Sequence, residues 1–328
     1  MMEHQAIPVI EMSQTGQARR SAAALAERLG LDSEESGRLG LVVTEAATNL
    51  VKHARGGEIV LRALGEETDR AVEILALDRG PGITNMDRAL RDGYSGVGSM
   101  GGGLGAIIRH SNHFDIYSSE SGTILLSRVG ASSAVGTDVG TICVPCPGEA
   151  VSGDAWAIAE GANRTAVLVV DGLGHGVEAH EAAHAAVAAF TLHAAGAPAQ
   201  TLERLHEVLR PTRGAAAAIL ELDGRERMAR YAGIGNISGT VIAGGETRSM
   251  VSHHGVLGHN VRKVQEFVYP WPHRALVILH SDGIGTHWNL DRYPGLEGRH
   301  PTLIAAALYR DHHRQRDDVT VIVLREAA

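Results

Sequence analysis

The sequence predicts an α+β fold with two domains in series. The chain has 328 residues, which suits two domains of ordinary size, and 44% hydrophobic residues, which is enough for two packed cores. A helix-rich stretch with several β-rich runs comes first, and a strand-rich stretch with two alanine-rich helices follows. Between them, residues 130–138 are small and polar turn formers. We therefore expect domains at residues 1–131 and 132–328.

The first domain opens with two predicted helices. Residues 14–29 place their alanine and leucine side chains on one helical stripe. Asp32 and Glu35 have the spacing of a capping box, so a second helix should begin there and run to about Ala54. Strand-like runs follow at residues 59–64, 72–77, 114–118 and 123–129. These elements predict an α+β unit, for which the family resemblance of its motifs, given below, implies an α/β sandwich with a mixed sheet.

The second domain is predicted to contain more strands than helices. Apolar β-runs occur at residues 140–144, 155–159, 166–170, 216–222, 275–279 and 319–324. Alanine-rich stretches at 177–194 and 199–209 predict helices. Two sheets packed face to face, with helices on the outside, accommodate this order.

Composition excludes several classes of function. The formal net charge of −8 argues against a nucleic-acid partner or a membrane surface. Cys143 and Cys146 are spaced like half of a zinc site, but no second pair of matching spacing follows. Two cysteines cannot form a disulfide scaffold, and neither a signal peptide nor a run of about 20 apolar residues is present. We expect a soluble cytoplasmic protein.

The second predicted helix carries a pair of residues suited to phosphoryl transfer. Glu45 and Asn49 are four residues apart on the polar face, so both project toward the same place. A carboxylate can accept a proton from an attacking hydroxyl, and an amide oxygen can hold Mg²⁺. A plain solvated helix face would show the same pattern, so the helix alone leaves both interpretations open.

Two glycine-containing segments favour a nucleotide site. DRGPGI follows a β-run directly and puts Asp78 at the strand end, where a fixed carboxylate can accept a hydrogen bond from an adenine amino group. Gly80 and Gly82 permit close approach of the backbone to a ligand. The later GGGLGA run leads into a helix, and backbone N–H groups at a helix N-terminus bind phosphates.

In this order, TEAATNLVKHA, DRGPGI, GGGLGA and SGT resemble the histidine-kinase-like ATPase fold, specifically the anti-sigma-factor and RsbT-type Ser/Thr kinases, over about residues 10–130. The resemblance implies that Glu45 is the general base, Asn49 the Mg²⁺ ligand and Asp78 the adenine contact. Further ATP contacts are implied at Gly80, Gly82, Thr123, Gly101, Gly102, Gly103, Leu104 and Gly105, with Thr123 supporting Asp78 and the last five forming a phosphate lid. No histidine stands beside Glu45 for autophosphorylation, so a two-component kinase is not expected.

The second domain places acids at the ends of apolar strands. They are Asp154, Asp171, Asp282 and the pair Asp317 and Asp318. One Asp-Gly after a strand is ordinarily a turn, but turns alone do not explain four such sites. Mg²⁺ and Mn²⁺ prefer oxygen ligands, and two such ions can activate a water for attack on phosphorus. The pattern predicts a two-metal site.

These acids lie in motifs that resemble the type 2C Ser/Thr phosphatases of the SpoIIE and RsbX branch. The motifs are GEAVSGDAW, DGLGHGVEAHEAA, RGAAAAIL, YAGIGNI, HSDGI and DDVTVIVL, over about residues 138–328. The resemblance implies that Asp171 bridges both metals and that the Gly172 carbonyl helps hold one. Asp282 and Asp317 would bind the other, and Asp154 would act on a metal or its water. Asp318 could replace Asp317.

The position of a histidine that could donate a proton departs from the family pattern, unlike the positions of the acids. Many relatives have a histidine two residues after the bridging acid, where this chain has Leu173. His175 follows two residues later and is our candidate for the general acid, against the alternative of an ordinary loop histidine.

Together, the two resemblances imply a bifunctional switch. An ATP- and Mg²⁺-dependent half would phosphorylate Ser or Thr on a STAS-domain regulator, and a half with two Mn²⁺ or Mg²⁺ ions would reverse this in a stressosome or sigma-factor pathway. In one alternative, the first half binds ATP and sequesters a sigma factor or another partner without kinase activity. In another, it is an ATP sensor that gates the phosphatase.

Overall fold

The computed structural model describes residues 4–66, 69–90, 103–131 and 137–326. These residues form two compact units. The N-terminal unit contains the described residues up to 131 together with residues 289–310. The C-terminal unit contains the remaining described residues, 137–288 and 311–326. Each unit combines helices with antiparallel sheet, which confirms the predicted α+β fold class.

The N-terminal unit is built on a five-stranded sheet. Its strands are β1 (Gln5–Val9), β2 (Gly57–Glu66), β3 (Asp69–Leu77), β4 (His113–Ser119) and β5 (Gly122–Gly130), in the order β1-β2-β3-β5-β4. Every pairing is antiparallel, so the predicted mixed sheet is wrong. The sequence pattern also missed β1. Pro8 of β1 fits an edge strand, because one side of such a strand has no neighbour and needs no backbone N–H donor.

Helices cover one face of this sheet. They are α1 (Met12–Leu29), α2 (Ser33–Ala54), α3 (Met86–Ala89) and α4 (Gly103–His110). The predicted capping box is present at α2, where the Glu35 N–H donates to Asp32 Oδ1 at 2.8 Å and the Asp32 N–H donates to Glu35 Oε2 at 3.1 Å. Val43, Ala46 and Leu50 of α2 are buried in the core. Packing of this apolar stripe fixes the direction in which the polar face of α2 points.

A buried ion network spans the three central strands. The register places Arg62 of β2 opposite Glu73 of β3, and Glu73 opposite Arg128 of β5. Arg62 Nη2 lies 2.9 Å from one carboxylate oxygen of Glu73, and Arg128 Nη2 lies 2.8 Å from the other. Burial alone would raise the pKa of Glu73, but the two guanidinium groups outweigh it and lower the pKa to about 2.

The C-terminal unit contains two five-stranded antiparallel sheets. The strands of this unit are β6 (Thr137–Val144), β7 (Asp154–Gly161), β8 (Arg164–Gly172), β9 (Ala215–Asp223), β10 (Met228–Ile234), β11 (Ser238–Ala243), β12 (Glu246–Ser249), β13 (Gly255–Val256), β14 (Asn260–Val261), β15 (Phe267–Pro270), β16 (Leu276–His280) and β17 (Val319–Glu326). The first sheet has the order β15-β10-β9-β8-β7 and the second the order β12-β11-β16-β17-β6, and β13 and β14 form a separate pair.

The two sheets pack face to face, as predicted. Val169 and Leu220 of the first sheet share a core with Val277 and Ile322 of the second. The other face of the first sheet packs against the predicted helices α5 (Val177–His193) and α6 (Pro198–Leu209), chiefly through alanine and leucine side chains. In the described part of the chain, no helix combines the length and apolar character needed to cross a membrane.

One segment departs from the predicted division into uninterrupted domains. Residues 289–310 follow β16 in sequence but belong to the N-terminal unit. They contain most of α7 (Pro301–His312), and each residue from Pro301 to Arg310 is buried. Arg310, near the end of this helix, is only 6% exposed. The predicted boundary itself falls at residues 132–136, outside the described ranges, and stays a prediction.

Removing the charge of Glu73 should destabilise the N-terminal unit. Glu73→Gln leaves the Arg62 and Arg128 guanidinium groups buried without their counterion, which typically costs about 3–5 kcal/mol. Urea denaturation followed by circular dichroism measures this loss. As a control, Glu207→Gln breaks an exposed pair with Arg210 and should cost less than about 1 kcal/mol. Equal effects of the two substitutions would contradict the stabilising role of the network.

Candidate functional site

The N-terminal unit contains a cleft of about 490 Å³. It is bounded by α2, the end of β3 and the start of α4. The cleft brings together residues predicted from four separate motifs, and the predicted residues that line it are Glu45, Asn49, Asp78, Gly82, Gly103, Leu104 and Thr123. Its volume is in the range of small-ligand and cofactor pockets.

Asp78 is held in a fixed orientation at the end of β3. Its Oδ1 accepts hydrogen bonds from the Gly80 N–H at 2.8 Å and the Thr123 N–H at 3.0 Å. The Asp78 N–H in turn donates to the Thr123 carbonyl at 3.0 Å. The other carboxylate oxygen, Oδ2, takes no hydrogen bond from the described residues. One oxygen therefore anchors the side chain, and the other can accept a hydrogen bond from a ligand in the cleft.

Thr123 reaches Asp78 through its backbone, whereas its hydroxyl lies 2.9 Å from the Ser118 hydroxyl. Gly82 has a φ of +71°, and a Cβ there would lie 2.0 Å from the Ser119 carbonyl oxygen, so this position requires glycine. Gly80 lies against Ala54 of α2. These contacts bring the predicted DRGPGI turn close to both the β4–β5 hairpin and the polar helix.

Glu45 and Asn49 enter the cleft from α2, as their four-residue spacing predicted. At the opposite wall, Gly103, Leu104 and Gly105 form the first turn of α4, and Gly105 is not among the lining residues. Gly101 and Gly102 lie outside the described residues, so their proposed role in a phosphate lid stays a prediction.

In the C-terminal unit, four of the predicted acidic positions meet where the two sheets end. Asp154 begins β7, and the strand register places it directly opposite Asp171 of β8. Asp282 follows β16, and Asp318 directly precedes the neighbouring strand β17. The Ser281 hydroxyl links the two sheets, because it donates to Asp154 Oδ2 at 2.6 Å and accepts from the Thr320 N–H at 3.0 Å.

The proximity of these carboxylates has a clear electrostatic effect. Burial, followed by the charges of Asp282 and Asp317, raises the pKa of Asp171 to about 8. Burial and the charge of Asp171 raise the pKa of Asp154 well above its ordinary value. The pKa values of Asp317 and Asp318 are raised too, again chiefly by burial. Such a concentration of buried negative charge favours a cation.

Asp317 and Asp318 differ in their surroundings. Asp318 is 2% exposed, and its Oδ1 accepts the Cys146 N–H at 2.9 Å. Asp317 is more accessible, and the charge of Asp282 contributes to its raised pKa. Asp317 Oδ1 accepts the Asp318 N–H at 3.0 Å, so both acids have a backbone partner, and they differ chiefly in their exposure.

Asn236 is a site residue that the sequence prediction missed. Its Nδ2 donates to Asp282 Oδ2 at 2.7 Å and to Asp171 Oδ2 at 3.3 Å, so the amide lies between the two acids. The motif YAGIGNI, which contains Asn236, was the available signal. In the described ranges, no three His, Cys, Asp or Glu side chains are already arranged to hold a metal. The donor set nevertheless fits hard cations, because it consists of clustered carboxylate oxygens.

His175 lies in the loop between β8 and α5. Its Nδ1 is 2.6 Å from Glu149 Oε1, and the charge of the imidazole acts to lower the pKa values of Asp317 and Asp318. The predicted general-acid candidate is thus close enough to influence the acidic cluster. Glu149, which orients it, was not predicted. Gly172 is buried at the end of β8, and its N–H donates to the Gly153 carbonyl at 3.0 Å.

Comparison with known families agrees with both predicted resemblances. The family of histidine kinase-like ATPase domains matches residues 10–128. The family of stage II sporulation protein E (SpoIIE) matches residues 161–326, which is half of the chain. The chain belongs to the SpoIIE family. It combines that phosphatase domain with a kinase-like ATPase domain, and residues 289–310 of the N-terminal unit come from the SpoIIE-matched sequence.

Two proteins of Bacillus subtilis strain 168 are similar to the two halves of this SpoIIE-family chain. The serine/threonine-protein kinase RsbT is 29% identical over 101 residues, which are 31% of this chain and 76% of RsbT. The phosphoserine phosphatase RsbX is 25% identical over 138 residues, which are 42% of this chain and 69% of RsbX. The recognised kinase-like and phosphatase resemblances are therefore confirmed.

Solved structures match the phosphatase fold. One of them comes from work on the bacterial stressosome as a modular system adapted to control secondary messenger signalling. It has a TM-score of 0.54 at 28% identity, and the match covers 58% of this chain and 99% of that chain. RsbX in complex with magnesium has a TM-score of 0.54 at 21% identity, covering 60% of this chain and 98% of RsbX. At 21% identity, the similarity to this RsbX structure shows a shared fold alone.

The geometry of Asp78 predicts its contribution to nucleotide selectivity. Asp78→Asn should weaken ATP binding about tenfold to a hundredfold, because losing a charged acceptor typically costs about 1.5–3 kcal/mol. Discrimination against GTP, which lacks the adenine amino group, should shrink as well. Calorimetric titration with both nucleotides measures these changes. The control Glu120→Gln, in the exposed β4–β5 turn, should behave like the wild type. Unchanged affinity and selectivity in Asp78→Asn would refute the adenine contact.

The raised pKa of Asp171 predicts a pH-dependent stability. The unfolded chain releases this proton near its ordinary pKa of 3.8, whereas the folded protein holds it until about pH 8. The folded state therefore loses stability as pH rises through this window. In EDTA, we expect a lower melting temperature at about pH 8.5 than at about pH 5, and added Mn²⁺ or Mg²⁺ should restore it at the higher pH.

Substitution isolates the contribution of Asp171. Asp171→Asn should reduce the loss of stability at high pH, and without metal it should be more stable than the wild type at about pH 8.5. The exposed control Glu160→Gln should keep the wild-type pH dependence. A full wild-type decrease in Asp171→Asn would show that Asp171 is not its source.

Proposed function

We propose that this chain is a bifunctional signalling enzyme of a partner-switching pathway. Its C-terminal unit removes phosphate from Ser or Thr of a STAS-domain regulator, and its N-terminal unit adds phosphate to the same partner with ATP. The observation that carries this proposal is the convergence of Asp154, Asp171, Asp282 and Asp317 at the adjoining ends of two sheets. Similarity to RsbX and RsbT supports the pairing of opposed activities.

In the phosphatase half, the acids would hold two Mg²⁺ or Mn²⁺ ions. Such ions supply a nucleophilic water and stabilise the phosphoryl oxygens. Asp171 is the proposed bridging ligand, with the Gly172 carbonyl beside it, and Asp282 and Asp317 are the proposed ligands of the second ion. We favour Asp317 over Asp318, since Asp318 is fully buried and bonded to the Cys146 N–H.

The remaining groups of this half would orient ligands and move protons. Asp154 is kept in place by Ser281, opposite Asp171. His175 would protonate the leaving hydroxyl of Ser or Thr, and Glu149 would hold its ring through Nδ1. Asn236 would have to move from between Asp171 and Asp282 when a cation is bound there.

In the kinase half, Asn49 would hold Mg²⁺, and Asp78 would accept a hydrogen bond from the adenine amino group. ATP supplies the transferred phosphoryl group. Glu45 would accept the proton of the Ser or Thr hydroxyl on the partner. The common cleft of these three side chains supports the assignment.

A second function has a specific observation in its favour. In it, the N-terminal unit is an ATP sensor that regulates the phosphatase and transfers no phosphate. Residues 289–310 lie in sequence between Asp282 and Asp317, yet they belong to the N-terminal unit. The chain therefore has a covalent connection by which nucleotide binding can act on the acidic cluster. A binding module that sequesters a sigma factor is the other alternative.

A phosphorylation time course with purified chain, STAS-domain partner, ATP, Mg²⁺ and Mn²⁺ separates these functions. Asp282→Asn should raise the steady level of phosphorylated partner, because loss of a direct metal ligand should slow dephosphorylation at least about 100-fold. Glu45→Ala and Asn49→Ala should instead abolish the appearance of phosphopartner.

The variant Glu160→Gln, exposed on β7, serves as the control and should match the wild type. Failure of the wild type and of Asp282→Asn to form any phosphopartner would reject the kinase activity and leave the sensor function. Equal levels in the two proteins, with an active kinase, would show that the phosphatase acts on another substrate.

A further inference from the structure

The nucleotide unit includes a segment that belongs by sequence to the SpoIIE-matched half of the chain. Residues 289–310 are attached to the N-terminal unit at two places. At the first, Asp115 of β4 accepts the His300 N–H at 2.9 Å and pairs with Arg299 Nη1 at 3.2 Å. At the second, Arg310 contacts the end of β3. Asp78, at the second place, lines the cleft, whereas Asp115, at the first, is not among its lining residues.

Arg310 is joined to Asp78 and Arg79 by reciprocal hydrogen bonds. Its Nη1 donates to the Asp78 carbonyl at 3.0 Å, and Arg79 Nη2 donates to the Arg310 carbonyl. The guanidinium is tightly enclosed. A Cβ on Gly122, which has a φ of +125°, would lie 2.9 Å from Arg310 Nη1 and 2.1 Å from the Asp78 carbonyl oxygen.

These contacts fix every polar group of Asp78 except one. Its N–H and carbonyl are held by Thr123 and Arg310, and its Oδ1 is held by the Gly80 and Thr123 N–H groups. The direction of Oδ2 into the cleft therefore depends on the orientation of the peptide that follows Asp78. Arg310 holds that peptide by its carbonyl oxygen, and it does so from an interior position, since it is 6% exposed.

We propose that Arg310 is a positioning residue of the nucleotide site, supplied by the SpoIIE-matched part of the chain. It does not touch the nucleotide, but it orients the Asp78 carboxylate for the adenine amino group. The nucleotide site is consequently incomplete in residues 1–131 alone. This inference rests on the proposed role of Asp78 and deepens it.

The test uses the full chain and calorimetric titration with ATP and GTP. Arg310→Met keeps the aliphatic bulk and removes the donor, so ATP affinity should fall about tenfold and the ATP-to-GTP preference should shrink. Arg299→Met is the matched control on the same segment, and it should alter either quantity less than about twofold. Arg310→Lys keeps a positively charged donor and should recover most of the preference.

Melting temperatures of all variants distinguish positioning from loss of fold, and Arg310→Ala, which also removes the donor, is titrated in place of Arg310→Met if Arg310→Met does not fold. Wild-type affinity and preference in Arg310→Met would overturn the inference. So would an equal loss in Arg299→Met, or weaker ATP binding with an unchanged preference for ATP over GTP. Weaker and less selective ATP binding in Arg310→Met or Arg310→Ala, with most of the preference kept in Arg310→Lys, would support the need for a charged donor; equal values in all of them would overturn it. A wild type that binds no ATP would reject the proposed nucleotide site and this inference together.

Discussion

The main physical constraint on this protein is the proximity of several carboxylates in a buried place. Asp154 and Asp171 are direct neighbours across β7 and β8, and the charges of Asp282 and Asp317 act on Asp171. Burial disfavours the charged forms of these acids, their like charges repel, and the raised pKa values express both costs. The sandwich tolerates it because the acids stand at strand ends, where hydrogen bonds from the Ser281 hydroxyl and the Cys146 N–H hold two of them. A bound cation would relieve this repulsion, which is why the cluster fits the proposed metal-dependent phosphatase chemistry.

The nucleotide cleft uses the same structural device with less charge. Asp78 also stands at a strand end, and neighbouring backbone N–H groups orient one of its oxygens. The polar face of α2 reaches the cleft because the apolar face of the same helix is packed into the core. In both units, therefore, rigid strands and helices position the functional side chains, and short loops supply the close contacts.

Residues 289–310 belong to the SpoIIE-matched part of the sequence but to the N-terminal unit of the fold. The segment is flanked in sequence by acids of the phosphatase cluster and contributes to the unit that contains the nucleotide cleft. Opposed kinase and phosphatase activities on one chain would consume ATP without result unless one controls the other. The burial of α7 along Pro301–Arg310 shows how firmly this segment is packed into the N-terminal unit.

The sequence by itself determined the fold class, the two main helices of the N-terminal unit, most long strands and the acids at their ends. These features depend on local periodicity, capping and strand-end position, which neighbouring residues encode. The antiparallel order of the first sheet, the edge strand β1 and the site residue Asn236 required the tertiary structure, because strand pairing and the meeting of distant loops are not local properties. Only the tertiary structure separated Asp317 from Asp318 and assigned residues 289–310 to the N-terminal unit. The physical reason is that burial and packing partners, unlike periodicity, depend on parts of the chain far away in sequence.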